Sequence, residues 1–313
     1  MKIAYYCLLA SCLVPVLQGQ AANEIIGSGY TGPTIPGVAP GDVITLFVSP
    51  LSVPDAVASQ VPLPTTLSGV SVSVRATGDL VVDTTGYPTA LPIFRIRSVN
   101  NTLFILQHTA ITVQIPTEKV STVYQGKRVP DFPSELILNV RANGVSGPDY
   151  TFAVNGITPH LLDSCDSVFG GIGRLYAGAP CHPVVTHADG TVVSFDSPAK
   201  AGETIVVYAL GLGAFGLTGR PQAGPIALVN GETRFSYFSV SLLTEPTFQT
   251  VYIYTITPDY VGLVDGYVGL FQINLTVPRM PDGVPPCLNA ADMNASIDAL
   301  TLNGGKLGIC VTP

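Results

Sequence analysis

The apolar positions of this chain come in short runs, and several alternate with polar ones. In Ser71-Val72-Ser73-Val74 and in Gln272-Ile273-Asn274-Leu275-Thr276-Val277 every second residue is apolar. That is the period of a strand with one face buried and one face wet. Runs rich in Val, Ile, Thr, Leu, Tyr and Phe fall at 43–48, 70–75, 111–115, 136–141 and 150–154, then at 204–209, 235–242, 249–256, 271–277 and 296–302. Gly, Pro, Asn and Asp separate them, as turns require. Helical periodicity is absent beyond an N-terminal apolar stretch and a short helical turn expected at 55–60. Asn303-Gly304-Gly305 has the composition of a hairpin turn, with 306–311 as the last strand. The pattern predicts an all-β protein built of antiparallel sandwiches.

Two of the runs repeat. Pro40-Gly41-Asp42-Val43-Ile44-Thr45-Leu46-Phe47-Val48 resembles Ala201-Gly202-Glu203-Thr204-Ile205-Val206-Val207-Tyr208-Ala209 at an offset of 161. The 111–116 strand, ending at Pro116, resembles 272–278, ending at Pro278, at almost the same offset. Two matches at one spacing imply two copies of one unit. The Gly-acid pair launches a buried strand, and the proline ends one where its missing N–H is tolerated. The expected units are 22–160 and 161–313, with 161–183 as a cysteine-bracketed connection into the second.

The N-terminus reads as a secretory signal. Lys2 precedes an apolar run from Ile3 to Leu17, and Gly19-Gln20-Ala21 places small residues where cleavage after Ala21 needs them. Leu9-Ala10-Ser11-Cys12 resembles a lipobox, which makes a lipid anchor at Cys12 the minor alternative; the apolar run continuing past Cys12 favours ordinary cleavage. No later run is long enough to span a membrane. The expected location is therefore secreted or cell-surface.

That location governs the cysteines. Of six in the chain, Cys165, Cys181, Cys287 and Cys310 lie beyond the signal. An even number in an exported chain predicts disulfides. Three pairings are open; Cys165–Cys181 with Cys287–Cys310 keeps each bridge in one neighbourhood. A zinc site from Cys165, Cys181, His182 and His187 is the rival, against which stands the lack of a tight C-x2-C pair.

Composition narrows function mostly by exclusion. Lys+Arg 14 against Asp+Glu 21 gives a net charge of −7, with no basic patch for nucleic acid. Neither a G-x-S-x-G elbow nor an H-E-x-x-H pair is present. Gly211-Leu212-Gly213-Ala214-Phe215-Gly216 matches G-x-G-x-x-G in letters, but Gly219-Arg220-Pro221 soon after cannot continue a helix, so it reads as a flexible interstrand loop. His187, Asp189 and Ser194 form a Ser/His/Asp set on paper only. Asp163 with Asp166, and Asp79 with Asp83, read as loop acids. No catalytic residue, metal ligand or cofactor is assigned, and the chain reads as non-enzymatic. The candidate ligand contacts are aromatic: Tyr237, Tyr252 and Tyr254, with Phe238, would suit a sugar face if exposed as a stripe, although the chain has no Trp.

Three further segments carry a resemblance. Thr186-His187-Ala188-Asp189-Gly190-Thr191-Val192-Val193, followed by Ser197-Pro198-Ala199-Lys200-Ala201-Gly202-Glu203 and Tyr208-Ala209-Leu210-Gly211-Leu212-Gly213, is one. The others are 62–72, which begins Pro62-Leu63-Pro64-Thr65-Thr66-Leu67, and 269–278, which begins Gly269-Leu270-Phe271-Gln272. Together they resemble the uncharacterised C-terminal domain family of Solibacter and other acidobacteria. The resemblance covers roughly 36–313. It implies two tandem immunoglobulin-like (IPT/TIG-like) sandwiches in an exported protein, and no established activity. The irregular 77–103 stretch and the cysteine-bracketed segment depart from the family pattern. The expected function is contact: an adhesive or scaffolding module of the cell exterior, whose partner is a surface protein or a polysaccharide. Carbohydrate binding is the alternative and a secreted hydrolase the more distant one, the latter requiring a concave pocket.

Overall fold

The computed structural model describes residues 22–30, 37–101, 106–166, 181–213, 233–241, 248–287, 293–299 and 306–313. The signal segment, Cys12 and the 303–305 turn lie outside them. The described chain is all-β, and no helix is long and apolar enough to cross a membrane. The helical turn expected at 55–60 is a correction: Ala56–Val57 is a short strand paired with Arg95 and Ile96, and the Ala58 N–H donates to the Phe94 carbonyl. Six residues after a proline cannot meet the cost of starting a helix, whereas a sheet edge offers ready partners.

In the first half, Ile25–Gly29, Val43–Val48, Leu106–Gln114 and Ile93–Asn101 lie side by side in that order. A second sheet runs Gly37–Val38, Tyr150–Val154, Glu135–Ala142, Val70–Thr77. The second half repeats both. His160–Leu161 and Val185–His187 pair with Thr204–Leu210, which is followed by Phe271–Thr276 and Tyr260–Leu263. The other sheet runs Phe248–Ile256, Thr233–Ser241, Ala295–Ala299, Lys306–Ile309, and beyond Cys310 Val311–Thr312 forms a separate two-stranded sheet with Ala199–Lys200. In both halves a two-residue strand pairs in parallel with the last strand: Gly37 and Val38 with Ala153 and Val154, Ala199 and Lys200 with Val311 and Thr312.

The internal repeat extends to single hydrogen bonds. The Gly41 N–H donates to the Ile115 carbonyl, Asp42 N–H to Ala39, and Ile115 N–H to Asp42. Their counterparts are Gly202 to Val277, Glu203 to Lys200, and Val277 to Glu203. Both glycines sit at positive φ, +78° and +88°, where a side chain is strained. From each turn the following strand pairs in the same register, Val43 with Gln114 and Thr204 with Thr276.

Two apolar cores follow from the alternation. The first gathers Ile44, Leu46, Val72, Val74, Ile111, Val113, Leu136, Leu138 and Phe152; the second gathers Ile205, Val207, Ile273, Leu275, Ile297 and Ile309. The chain changes core between Phe152 and Leu161, yet Leu162 and Leu210 turn back into the first. Apolar packing is thus continuous where the halves meet.

The cysteines form Cys165–Cys181 and Cys287–Cys310, with Cα atoms 5.4 and 5.7 Å apart. The expected disulfides are formed, in the local pairing, and the rival zinc site loses its ligands, since disulfide sulfurs offer no thiolate. Beside the second bridge, buried Asn294 donates through Nδ2 to the Pro285 and Val311 carbonyls and accepts from Val311 N–H. Replacing Cys287 and Cys310 together by Ser is expected to lower unfolding stability by about 3 kcal/mol, by releasing the unfolded chain. Urea unfolding measures it; an unchanged midpoint and slope would contradict it.

Candidate functional site

Two polar constellations stand out against these apolar cores, and each is built on one copy of the repeated Gly-acid turn. In the first copy the turn delivers Asp42 into the seam between the halves, where it is 1% exposed. The Tyr30 hydroxyl lies 2.8 Å from Asp42 Oδ2 and 3.0 Å from the Thr158 carbonyl. The Thr158 hydroxyl donates to the same Oδ2 at 2.9 Å. His160 stacks on the Tyr30 ring, centroids 4.1 Å apart and planes 9° from parallel, and its Nε2 lies 2.8 Å from Asp166 Oδ1. Asp166 Oδ2 accepts the Asp163 N–H. Asp42 Oδ1 is buried without a hydrogen-bond partner of good geometry.

Burial sets the charge state of this chain of groups. Desolvation pushes the Asp42 carboxyl up to about 6, opposed by the hydrogen bonds from Tyr30 and Thr158 and by His160. Desolvation, with Asp42 beside it, also pushes the Tyr30 phenol well above its ordinary value, so it stays a neutral donor. Asp166 is raised by burial as well, against the pull of His160.

In the second copy the turn delivers Glu203 to an open cleft of about 550 Å³. Val185–His187 pairs with Thr204–Leu210 so that His187 faces Ile205, two residues along from Glu203. His187 Nδ1 lies 2.9 Å from Glu203 Oε1. Its Nε2 lies 3.2 Å from both the hydroxyl and the carbonyl oxygen of Ser197. The His187 and Glu203 side chains keep 16% and 25% of their exposure, so both are held yet reachable. Lys200 is also among the residues that line the cleft.

This arrangement corrects the paper set of His187, Asp189 and Ser194. Asp189 lines the same cleft, but its Oδ1 accepts the Thr191 N–H and hydroxyl, which hold its carboxyl below the usual range. Ser194 Oγ accepts the Ser197 N–H. The residues brought to His187 are Ser197 and Glu203. Glu203 was visible in the sequence only as a turn acid, and Ser197 carried no signal of its own.

The other expected residues fall elsewhere. Tyr252 and Tyr254 are half-buried and pack against the second core, while Val251 and Ile253 face outward beside them. The side chains of Tyr237 and Phe238 lie outside the described residues. Asp83 closes a turn on Thr85, and His182 is exposed. Gly211 and Gly213 lie in the expected loop after Thr204–Leu210, and both are buried at the seam: a Cβ on either would stand 2.1 Å from the carbonyl oxygen of Thr158 or Gly156 respectively. The remainder of that glycine run lies outside the described residues. No family model, curated protein or solved structure matches this chain.

Proposed function

We propose that this chain is an exported adhesive or scaffolding module made of two immunoglobulin-like sandwiches, working through contact. The observation that carries the reading is the seam. Leu162 and Leu210 of the second half pack into the first core, and Gly211 closes on Thr158, which at the end of the first half hydrogen-bonds Gly211 on one side and the Tyr30–Asp42 pair on the other. A buried polar network flanked by apolar packing fixes one repeat on the other, as a spacer or scaffold requires. The parallel pairing of a short second strand with the last strand in both halves supports the immunoglobulin-like reading. Two disulfides support an oxidising compartment. A sugar platform on Phe248–Ile256 draws no support from Tyr252 and Tyr254, whose rings are half given to the core.

Fractionation of producing cells tests the reading. The expected result is protein outside the cytoplasm, with an N-terminus at Ala22, both bridges formed, and saturable binding of the purified chain to isolated envelope. Protein retained in the cytoplasm with Met1 in place would overturn it.

A further inference from the structure

We propose that Ser197 is an acyl-accepting nucleophile, activated by His187 and oriented through Glu203, which takes small acyl groups from activated esters in the open cleft. This goes beyond contact and does not depend on it.

The argument starts from the tautomer. A carboxylate only accepts hydrogen bonds, so Glu203 Oε1 at 2.9 Å places a proton on His187 Nδ1. In the neutral ring Nε2 then bears a lone pair and can only accept. Of its two neighbours at 3.2 Å, the Ser197 hydroxyl has a proton to give and the Ser197 carbonyl does not. Neutral His187 is therefore a base aimed at Ser197 Oγ. Once it takes that proton, the carbonyl becomes an acceptor for Nε2–H, and Glu203 faces the new positive charge. Both states of the ring are satisfied in place, which is the logic of a nucleophile, a base and an orienting carboxylate.

The step balances with an ester as the only co-reactant. Ser197 Oγ bonds to the acyl carbon as its proton passes to His187 Nε2. The bond from that carbon to the leaving oxygen breaks, and the departing alkoxide or phenoxide takes the proton from Nε2. Water then gives a proton to Nε2 and attacks the acyl-serine; the acid departs and Oγ recovers its proton. The two halves differ in speed. The Ser197 N–H is engaged by Ser194 Oγ, and residue 198 is proline, so neither supplies the backbone donor that a tetrahedral oxyanion needs. Lys200 lines the same cleft and supplies a cation to it. An activated ester with a good leaving group acylates under these conditions, whereas the acyl-serine, whose leaving group is poor, hydrolyses slowly. The expected behaviour is stoichiometric acylation with little turnover.

The test uses the full chain and p-nitrophenyl acetate. A burst of one p-nitrophenolate per chain is expected, then much slower release, with one acetyl group on the peptide bearing Ser197 by mass spectrometry. Ser197→Ala removes the burst, and His187→Ala slows it about a hundredfold, the usual scale for losing a general base. A comparison that needs no variant uses the same chain unfolded in urea, which should lack the burst. No burst, acetylation elsewhere instead of at Ser197, or equal labelling of the folded and unfolded chain would overturn the proposal.

Discussion

Gly211→Ala is expected to cost about 4 kcal/mol of unfolding stability, far more than the same change at Gly202. Both glycines sit at positive φ, +69° and +88°, and each pays about 1 kcal/mol for an added Cβ on backbone grounds alone. Gly202 has nothing within 4 Å of that Cβ, so the cost stops there. At Gly211 the new carbon would stand 2.1 Å from the Thr158 carbonyl oxygen and 2.5 Å from the Tyr30 hydroxyl. A tyrosine tip can move, but the carbonyl is fixed backbone, tied by the Thr158 N–H donating to the Gly211 carbonyl at 2.7 Å. Relief requires the 156–158 and 211–213 segments to separate, which undoes the Tyr30–Asp42–Thr158 network and uncovers Leu162 and Leu210. Overpacking plus loss of buried hydrogen bonds brings the total to about 4 kcal/mol. Urea unfolding of the two variants measures the difference. Equal losses would show that the seam yields freely and that the close approach places no constraint on the halves.

The strands were legible because their signals are local. Val43–Val48 and Tyr150–Val154 begin and end where their apolar runs do, and the Gly41 and Gly202 turns announce themselves by residue type. Ile93–Asn101 was harder to read, since Arg95, Arg97, Asn100 and Asn101 dilute its apolar content. The repeat was legible because the same turn is needed twice to start the same strand. What each turn acid does was not. Asp42 meets Thr158 across 116 residues, and Glu203 meets His187 through the register of two paired strands. Nothing in either turn says which side chain will stand opposite. The sequence singles out Ser194 and gives Ser197 no signal; only the turn geometry, with the Ser197 N–H on Ser194 Oγ, decides which hydroxyl reaches the imidazole. The tyrosines of Phe248–Ile256 show the same limit: alternation says that one face of the strand is buried, but not which.

Raising the pH from 4 to 8 is expected to weaken the wild-type fold through Asp42, and Asp42→Asn should abolish that part of the dependence. The unfolded carboxyl releases its proton near 3.8, while burial holds the folded one to about 6. Between those values the folded state binds more protons, so stability falls as pH rises. The favourable contribution is complete below the unfolded value and is lost as pH climbs through the folded one. A difference of about two pH units corresponds to ~3 kcal/mol. The groups facing Asp42 are Tyr30, Thr158 and His160, with Asp166 behind His160. Asp166, raised by burial, adds a slope of the same sign, but it is present in both proteins and drops out of their difference. In the variant the amide oxygen still accepts from Tyr30 and Thr158, and the NH₂ takes the place of Oδ1, where the protonated acid carries its O–H. The neutral amide therefore mimics the protonated acid but has no proton to lose. The variant is expected to be close to wild type at pH 4.5 and more stable than it at pH 8. Urea unfolding across this range, read as the difference between the two proteins, isolates the Asp42 proton; parallel curves would mean that the seam leaves this carboxylate as well solvated as the unfolded chain does.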